Sequence, residues 1–418
     1  MHGEGAYFVD AAQPFRPFVL EMLDPPDYPM VRETSEGEVI RPYDVTAWAL
    51  PALLGLQVQA LTLRPEGLGA QAVVRPRSAL PERPPGPVAL PATDNASYAA
   101  AMRLLARGGK VQRFVAGERA GEFLVPDGAA ADPVLLATGA RPRPAGTAEG
   151  AVDLLLPRVV LYEPHGGSTD GGWTRLLLDR VGLAHQSMGP GDLAGLARHS
   201  DGAARLLRQA DVLIIPSISP EELRRGRMPD EPTDVWSPRW PEAYRGGLLG
   251  GGAVGLLLDF VKQGGHLVCL GESSAWAVED LGLPAAMTPG EGLSRDEFYV
   301  PGTLLRARVD PTQPLAWGMP EEVPVYAAHG QAFATRAWTR PTGVPVLYAR
   351  EDLRVAGFLN GAGRLAGRPA LVDIPLGEGR VVLFGFSPQH RCQTEATFKL
   401  LFNALLRAGG GEPSHGDS

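Results

Sequence analysis

The sequence predicts an α/β protein: a mainly parallel sheet with helices on both faces, preceded by a smaller α/β unit. Three observations lead there. From "RVVLYEP" onward, short continuous apolar runs alternate with amphipathic helices, the pattern of strands buried on both faces. A Pro- and Gly-rich stretch, "TGARPRPAGTAEGAVD", separates this region from an N-terminal part with its own strand and helix signals. The chain has 418 residues, more than one typical domain of about 100 to 200 residues holds. The expectation is a small α/β domain over 1–150, a flavodoxin-like three-layer sandwich over 151–410, and a disordered tail over 411–418.

In the first part, "GEGAYFVDAAQPFRPFVLEML" from Gly3 and "RAGEFLVPDGAAADPVLLATG" from Arg119 each read as a Gly-led strand, a loop and an apolar helical turn, which predicts an internal duplication. Between them, "PYDVTAWALPALLGLQVQALTL" predicts a helical segment and then a strand at "LQVQALTL". A Pro-rich connector, "RPRSALPERPPGPVALPA", follows. "NASYAAAMRLLARGGKVQRFVA" predicts a helix with Ala99, Met102 and Leu105 on one face, stopped by Gly108 and Gly109, then a strand.

In the second part, "DGGWTRLLLDRVGL", "GGAVGLLLDFVKQGG" and "ESSAWAVEDLGL" predict helices, with strands at "ADVLIIPSIS" and "HLVCLG". Val254, Leu257, Leu258 and Val261 follow the i, i+3, i+4, i+7 rule. After Leu283 the pattern turns to strands, "TLLRARVD", "VPVYAAH" and "PVLYARE", and to the hairpin "RPALVDIPLGEGRVVLFGFS". A last helix carries Phe398, Leu401, Phe402 and Leu405 on one face.

Composition excludes several function classes. A net charge of -8 lacks the basic footprint of a nucleic-acid binder. No apolar run reaches the roughly 18 residues of a membrane span, and the N-terminus has neither the basic stretch nor the apolar region of a signal peptide. Two cysteines, Cys269 and Cys392, are too few for a disulfide framework or a cysteine-rich zinc site. The eight histidines are scattered, without HExxH, HxxE or helical pairing, so neither metal nor cofactor is expected.

In a parallel sheet, ligands gather where strands end and loops lead into helices. Strand ends at Pro164, Pro216, Leu270 and Pro388 are expected to converge and to place Asp170, Trp173, Arg175, Ser217, Glu272, Ser273 and His390 around one crevice. An aromatic ring, a guanidinium and a carboxylate suit a peptide or small zwitterionic ligand, with Arg175 bidentate on its carboxylate. The plain alternative makes Trp173 a core residue and Arg175 a solvated one. The loop "EPHGGSTDGGW" precedes a helix but matches no phosphate-binding motif. Candidates for catalysis are Cys269 as nucleophile and His390 as base, with Glu395 the first carboxylate downstream. Free cysteine is more often a buried core residue.

"HLVCLGES" resembles the nucleophile turn of class I glutamine amidotransferases, and His390 sits where that family has its base. Cys392 stands where the family has its orienting Glu, so the triad is incomplete. Four stretches carry a wider resemblance: "RPYDVTAWALP", "STDGGWTRLLLD", "FYVPGTLLRARVDPTQPLAWGMP" and "GRVVLFGFSPQHRCQTEATFKLLFNALL". In this order they are similar to the non-peptidase region that follows the catalytic domain in large bacterial zinc carboxypeptidases. That resemblance implies a class I amidotransferase-like domain in the C-terminal half, zinc chemistry in an upstream domain, and export of full-length relatives. The function it implies is a non-catalytic accessory or binding module that positions a zinc carboxypeptidase domain or protein. The alternatives are a Cys/His hydrolase or amidotransferase, and a structural spacer.

Overall fold

The structure is a computed structural model that describes residues 6–68, 84–164, 166–192, 207–226, 251–289, 292–335 and 343–407. His165 and the expected tail at 411–418 lie outside these residues, as does the first half of the Pro-rich connector.

Two short helices lie in the first part, α1 (Arg16–Leu23) and α2 (Leu50–Leu54). They are followed by β1 (Val88–Leu90), α3 (Asn95–Ala106), β2 (Gln112–Phe114), β3 (Phe123–Val125), α4 (Gly128–Thr138), β4 (Arg143–Pro144) and β5 (Ala151–Asp153). The strands form one antiparallel sheet in the order β4-β1-β3-β2-β5. Asp94 and Asp127 start α3 and α4 by accepting hydrogen bonds from Ala96 N and Ala130 N. In the segment from Arg119, β3 leads into α4; in the segment from Gly3, α1 follows residues 6–15, which hold no strand.

The strand expected at "LQVQALTL" is absent, which corrects that reading. Leu56, Val58, Leu61 and Leu63 are exposed, and among the described residues this run has no neighbouring strand to complete its hydrogen bonds.

The second part holds β6 (Val159–Tyr162), α5 (Thr169–Val181), β7 (His185–Met188), β8 (Val212–Ile215), α6 (Pro220–Arg225), α7 (Gly251–Lys262), β9 (His266–Leu270) and α8 (Ser273–Asp280). A two-stranded ribbon pairs β10 (Ala285–Thr288) with β13 (Ala332–Thr335). The chain continues through β11 (Thr303–Val309), β12 (Glu322–Ala327), β14 (Gly343–Tyr348), β15 (Arg354–Ala356), β16 (Pro369–Leu376), β17 (Gly379–Phe384) and α9 (Phe398–Arg407). The large sheet runs β12-β11-β14-β16-β17-β9-β8-β6-β7, with β15 also on β11. From β17 to β7 all neighbours are parallel; from β12 to β17 they are antiparallel.

Alternation along the parallel strands divides the core into two layers. Leu161, Ile214, Val268 and Phe384 pack with α3, α4, α5 and α9. Val160, Leu213, Cys269 and Leu383 pack with α6, α7 and α8 on the opposite face. Helices therefore cover both faces, which makes this a three-layer sandwich of flavodoxin-like type. The small sheet docks through tight backbone contact: Gly318 has φ +76, and a Cβ there would lie 1.9 Å from the Ala92 carbonyl oxygen. No helix among the described residues is long and apolar enough to cross a membrane.

Candidate functional site at the parallel strand ends

Parallel pairing brings the C-terminal ends of β6, β8, β9 and β17 to one side, and the loops there carry the candidate residues. Ser168 caps α5 by accepting from Gly171 N at 2.9 Å, which sets Asp170, Trp173 and Thr174 along one face of its first turns. Asp170 is buried at 7% exposure. Its Oδ1 accepts from Ser217 N at 2.9 Å and from Gln389 Nε2 at 2.8 Å, while Gln389 Nε2 also reaches Thr174 Oγ1 at 3.0 Å. Burial pushes the Asp170 carboxyl up to about 6; those two hydrogen bonds oppose the shift, and the charge on Glu272 adds to it.

Ser217 Oγ accepts from Glu272 N at 3.1 Å, and Glu272 Oε2 lies 3.3 Å from His329 Nε2. Ser273 is fully buried, with its hydroxyl donated to the carbonyls of Ile215 and Leu270, so it ties two strand ends together and presents no surface to a ligand. Arg175 is half-exposed at the rim and ion-paired with Glu163.

His390 is buried in the turn after β17. Its ring stacks on Tyr326, with centroids 3.5 Å apart, and meets Trp173 edge-on at 4.6 Å. Burial lowers its pKa to about 3; neighbouring Arg391 adds to the shift and Asp44 opposes it. Arg391 pairs with Asp44 at 2.8 Å. Glu395 is turned away, paired with Arg180 at 3.1 Å, so it does not orient the imidazole.

Cys269 lies inside β9 at 0% exposure, and burial pushes its thiol pKa well above the usual range. It belongs to the layer under α7 and α8, whereas His390 packs on Trp173 of α5 in the other layer. The sharp turn from β9 into α8 falls at Gly271, with φ +54. At a nucleophile elbow the reactive residue occupies such a turn. Here that position has no side chain, and a Cβ would meet Ser217 Oγ at 2.6 Å.

The structure thus gathers Asp170, Trp173, Ser217, Glu272 and His390, leaves Arg175 at the rim, and separates Cys269. Sequence reasoning missed Gln389, Tyr326, His329 and Asp44. Only Gln389, beside His390, carried a positional hint. Two surface hollows of about 590 and 640 Å³ lie elsewhere, one beside Arg306 and Arg350 and the other between the small sheet and Trp317. Among the described residues, no group of three or more His, Cys, Asp or Glu side chains is placed to hold a metal.

The fold and site define the class as a flavodoxin-like α/β protein with a polar and aromatic cluster at its strand ends. A comparison with protein-family profiles finds no match, and one with curated proteins finds none either. Among solved structures, the chain is similar to a ThuA-like protein of Bacteroides uniformis, at 11% identity and TM-score 0.37 over 63% of this chain and 93% of that one. It is also similar to PurLQS of Thermotoga maritima, at 14% identity and TM-score 0.38 over 60% and 99%. A third is a GMP synthase-type protein of Thermoplasma acidophilum, at 10% identity and TM-score 0.35 over 60% and 94%. The fold class rests on the strand order and register above.

Proposed function

We propose that this chain is a non-catalytic, amidotransferase-like binding module, an accessory to a zinc carboxypeptidase domain or protein. The observation that carries the reading is the elbow: the strained turn position is Gly271, and the nearest thiol, Cys269, is sealed in the core layer opposite His390. A thiol without an adjacent base and without solvent contact stays protonated and unreactive. His390 supports the same reading, because a stacked, buried imidazole with no orienting carboxylate among the described residues has lost what a general base requires. The accessory role rests on the four resembling stretches alone.

The test is thiol chemistry on the native chain. Iodoacetamide should leave Cys269 unlabelled in the folded protein and label it at the rate of a model thiol in denaturant, with peptide mass spectrometry locating the adduct. Fast native labelling of Cys269, together with hydrolysis of γ-glutamyl or ester substrates that Cys269→Ser abolishes, would establish the rival hydrolase instead.

A further inference from the structure

The two hydrogen bonds to Asp170 both fall on Oδ1; Oδ2 carries none among the described residues and is not among the sealed, unpartnered atoms. A carboxylate buried to this degree is ordinarily paired with a cation. Among the described residues the charged group that perturbs Asp170 is another carboxylate, Glu272. Two described guanidiniums at this end of the sheet are already engaged, Arg175 by Glu163 and Arg391 by Asp44. Gln389, fully buried against Asp170, spends its Nε2 on Oδ1 and on Thr174 Oγ1, so it supplies no donor to Oδ2. Trp173, one helical turn after Asp170 on the same face of α5, is half-buried and sets its ring against His390.

We infer that the strand-end site takes an organic cation, a protonated primary amine attached to an apolar or aromatic body, with the ammonium on Asp170 Oδ2 and the body against Trp173. This rests on the binding-module reading and narrows it, replacing the zwitterion expected from Arg175 with a ligand whose positive end does the anchoring. An ammonium supplies three donors, one of which satisfies Oδ2 while the others stay with solvent. An aromatic face beside a carboxylate adds cation–π attraction. A metal ion is disfavoured because hard cations require six or more oxygen ligands, and no such cluster is present among the described residues.

The experiment uses the full chain and three probes of one size: phenethylamine, 2-phenylethanol and phenylacetate. Binding is read by saturation-transfer NMR and by thermal shift at about pH 7.5, where Asp170 is ionised. Phenethylamine should bind at least about tenfold more tightly than 2-phenylethanol, with phenylacetate weaker still. Asp170→Asn keeps the acceptor for Ser217 N and Gln389 Nε2, so it should fold and lose about tenfold or more in amine affinity. Trp173→Ala should lose several-fold, and Arg175→Ala should change nothing. Preferential phenylacetate binding, equal amine affinity in Asp170→Asn, a thermal shift with calcium chloride alone, or no binding at about 10 mM probe each overturns the inference. Iodoacetamide labelling of Cys269 in the same samples reports on the non-catalytic reading independently.

Discussion

Tyr326 and His390 lie face to face, with ring centroids 3.5 Å apart and planes 14° from parallel. One ring comes from an antiparallel strand and the other from the turn after the last parallel strand, so the stack joins the two halves of the large sheet. It also removes water from one face of the imidazole while Trp173 covers an edge.

His390 should therefore remain neutral across the physiological range. Its folded pKa of about 3 lies below the unfolded value near 6.5, so the folded state binds fewer protons in between. The stabilising difference is fully present above about pH 6.5 and is lost as pH falls towards 3. Proton–nitrogen NMR of the imidazole should show no titration between about pH 5 and 8. The stability gap between the wild type and His390→Gln should shrink on acidification; a ring titrating near 6.5 in the folded state would overturn the assignment.

Asp170 has the opposite sign. Its folded pKa, about 6, is above the unfolded value near 3.8, so the folded state holds the extra proton between them. Its contribution is fully present below about pH 4 and is lost as pH rises through 6, amounting to roughly 2 to 3 kcal/mol. Relative to Asp170→Asn, the wild type should lose stability over that window and be flat above about pH 7. The two groups offset one another between about pH 4 and 6, so only the single variants expose either slope. Equal slopes in wild type and Asp170→Asn urea titrations would contradict the buried, raised carboxyl.

Arg175→Ala should change stability by less than about 1 kcal/mol, because the guanidinium is half-exposed and its ion pair with Glu163 sits at the rim. Thermal unfolding checks this. A loss of several kcal/mol would make Arg175 a structural strut.

The parallel half was legible because β6, β8 and β9 are buried on both faces and read as unbroken apolar runs. The edge strand β7, "HQSM", is partly exposed and polar, so it gave no signal. In the N-terminal segment the alternation of "LQVQALTL" imitates a strand, but alternation records only which side chains are apolar and not whether a partner strand exists. The site divided the same way. Convergence of Asp170, Ser217, Glu272 and His390 follows from parallel topology. Tyr326 and Asp44 arrive from the antiparallel extension and from a segment more than 300 residues before His390, which no local pattern announces.

The last prediction concerns the joint between the two sheets. Arg113 of β2 is 4% exposed, and no carboxylate pairs with it among the described residues. Its Nε donates to Gly121 O at 3.2 Å and its Nη2 to Asn403 Oδ1 at 2.5 Å, while the rings of Trp317, Phe123 and Tyr98 surround the guanidinium at 4.9, 5.1 and 5.6 Å. Asn403 on α9 in turn donates to the carbonyls of Leu315 and Trp317, so one network spans the small sheet, α9 and the loop after β11. Arg113→Met fills similar space but leaves the buried Gly121 carbonyl bare and Asn403 Oδ1 with the Tyr98 hydroxyl as its remaining donor, and should cost about 2 to 4 kcal/mol. Asn403→Ala should be comparably destabilising. Because each removes part of the same network, the double variant should be less destabilised than the sum of the singles by about 1 to 3 kcal/mol. Additivity within about 0.5 kcal/mol in a urea-denaturation cycle would mean that the aromatic cage, and not the hydrogen bond to Asn403, holds Arg113 in place.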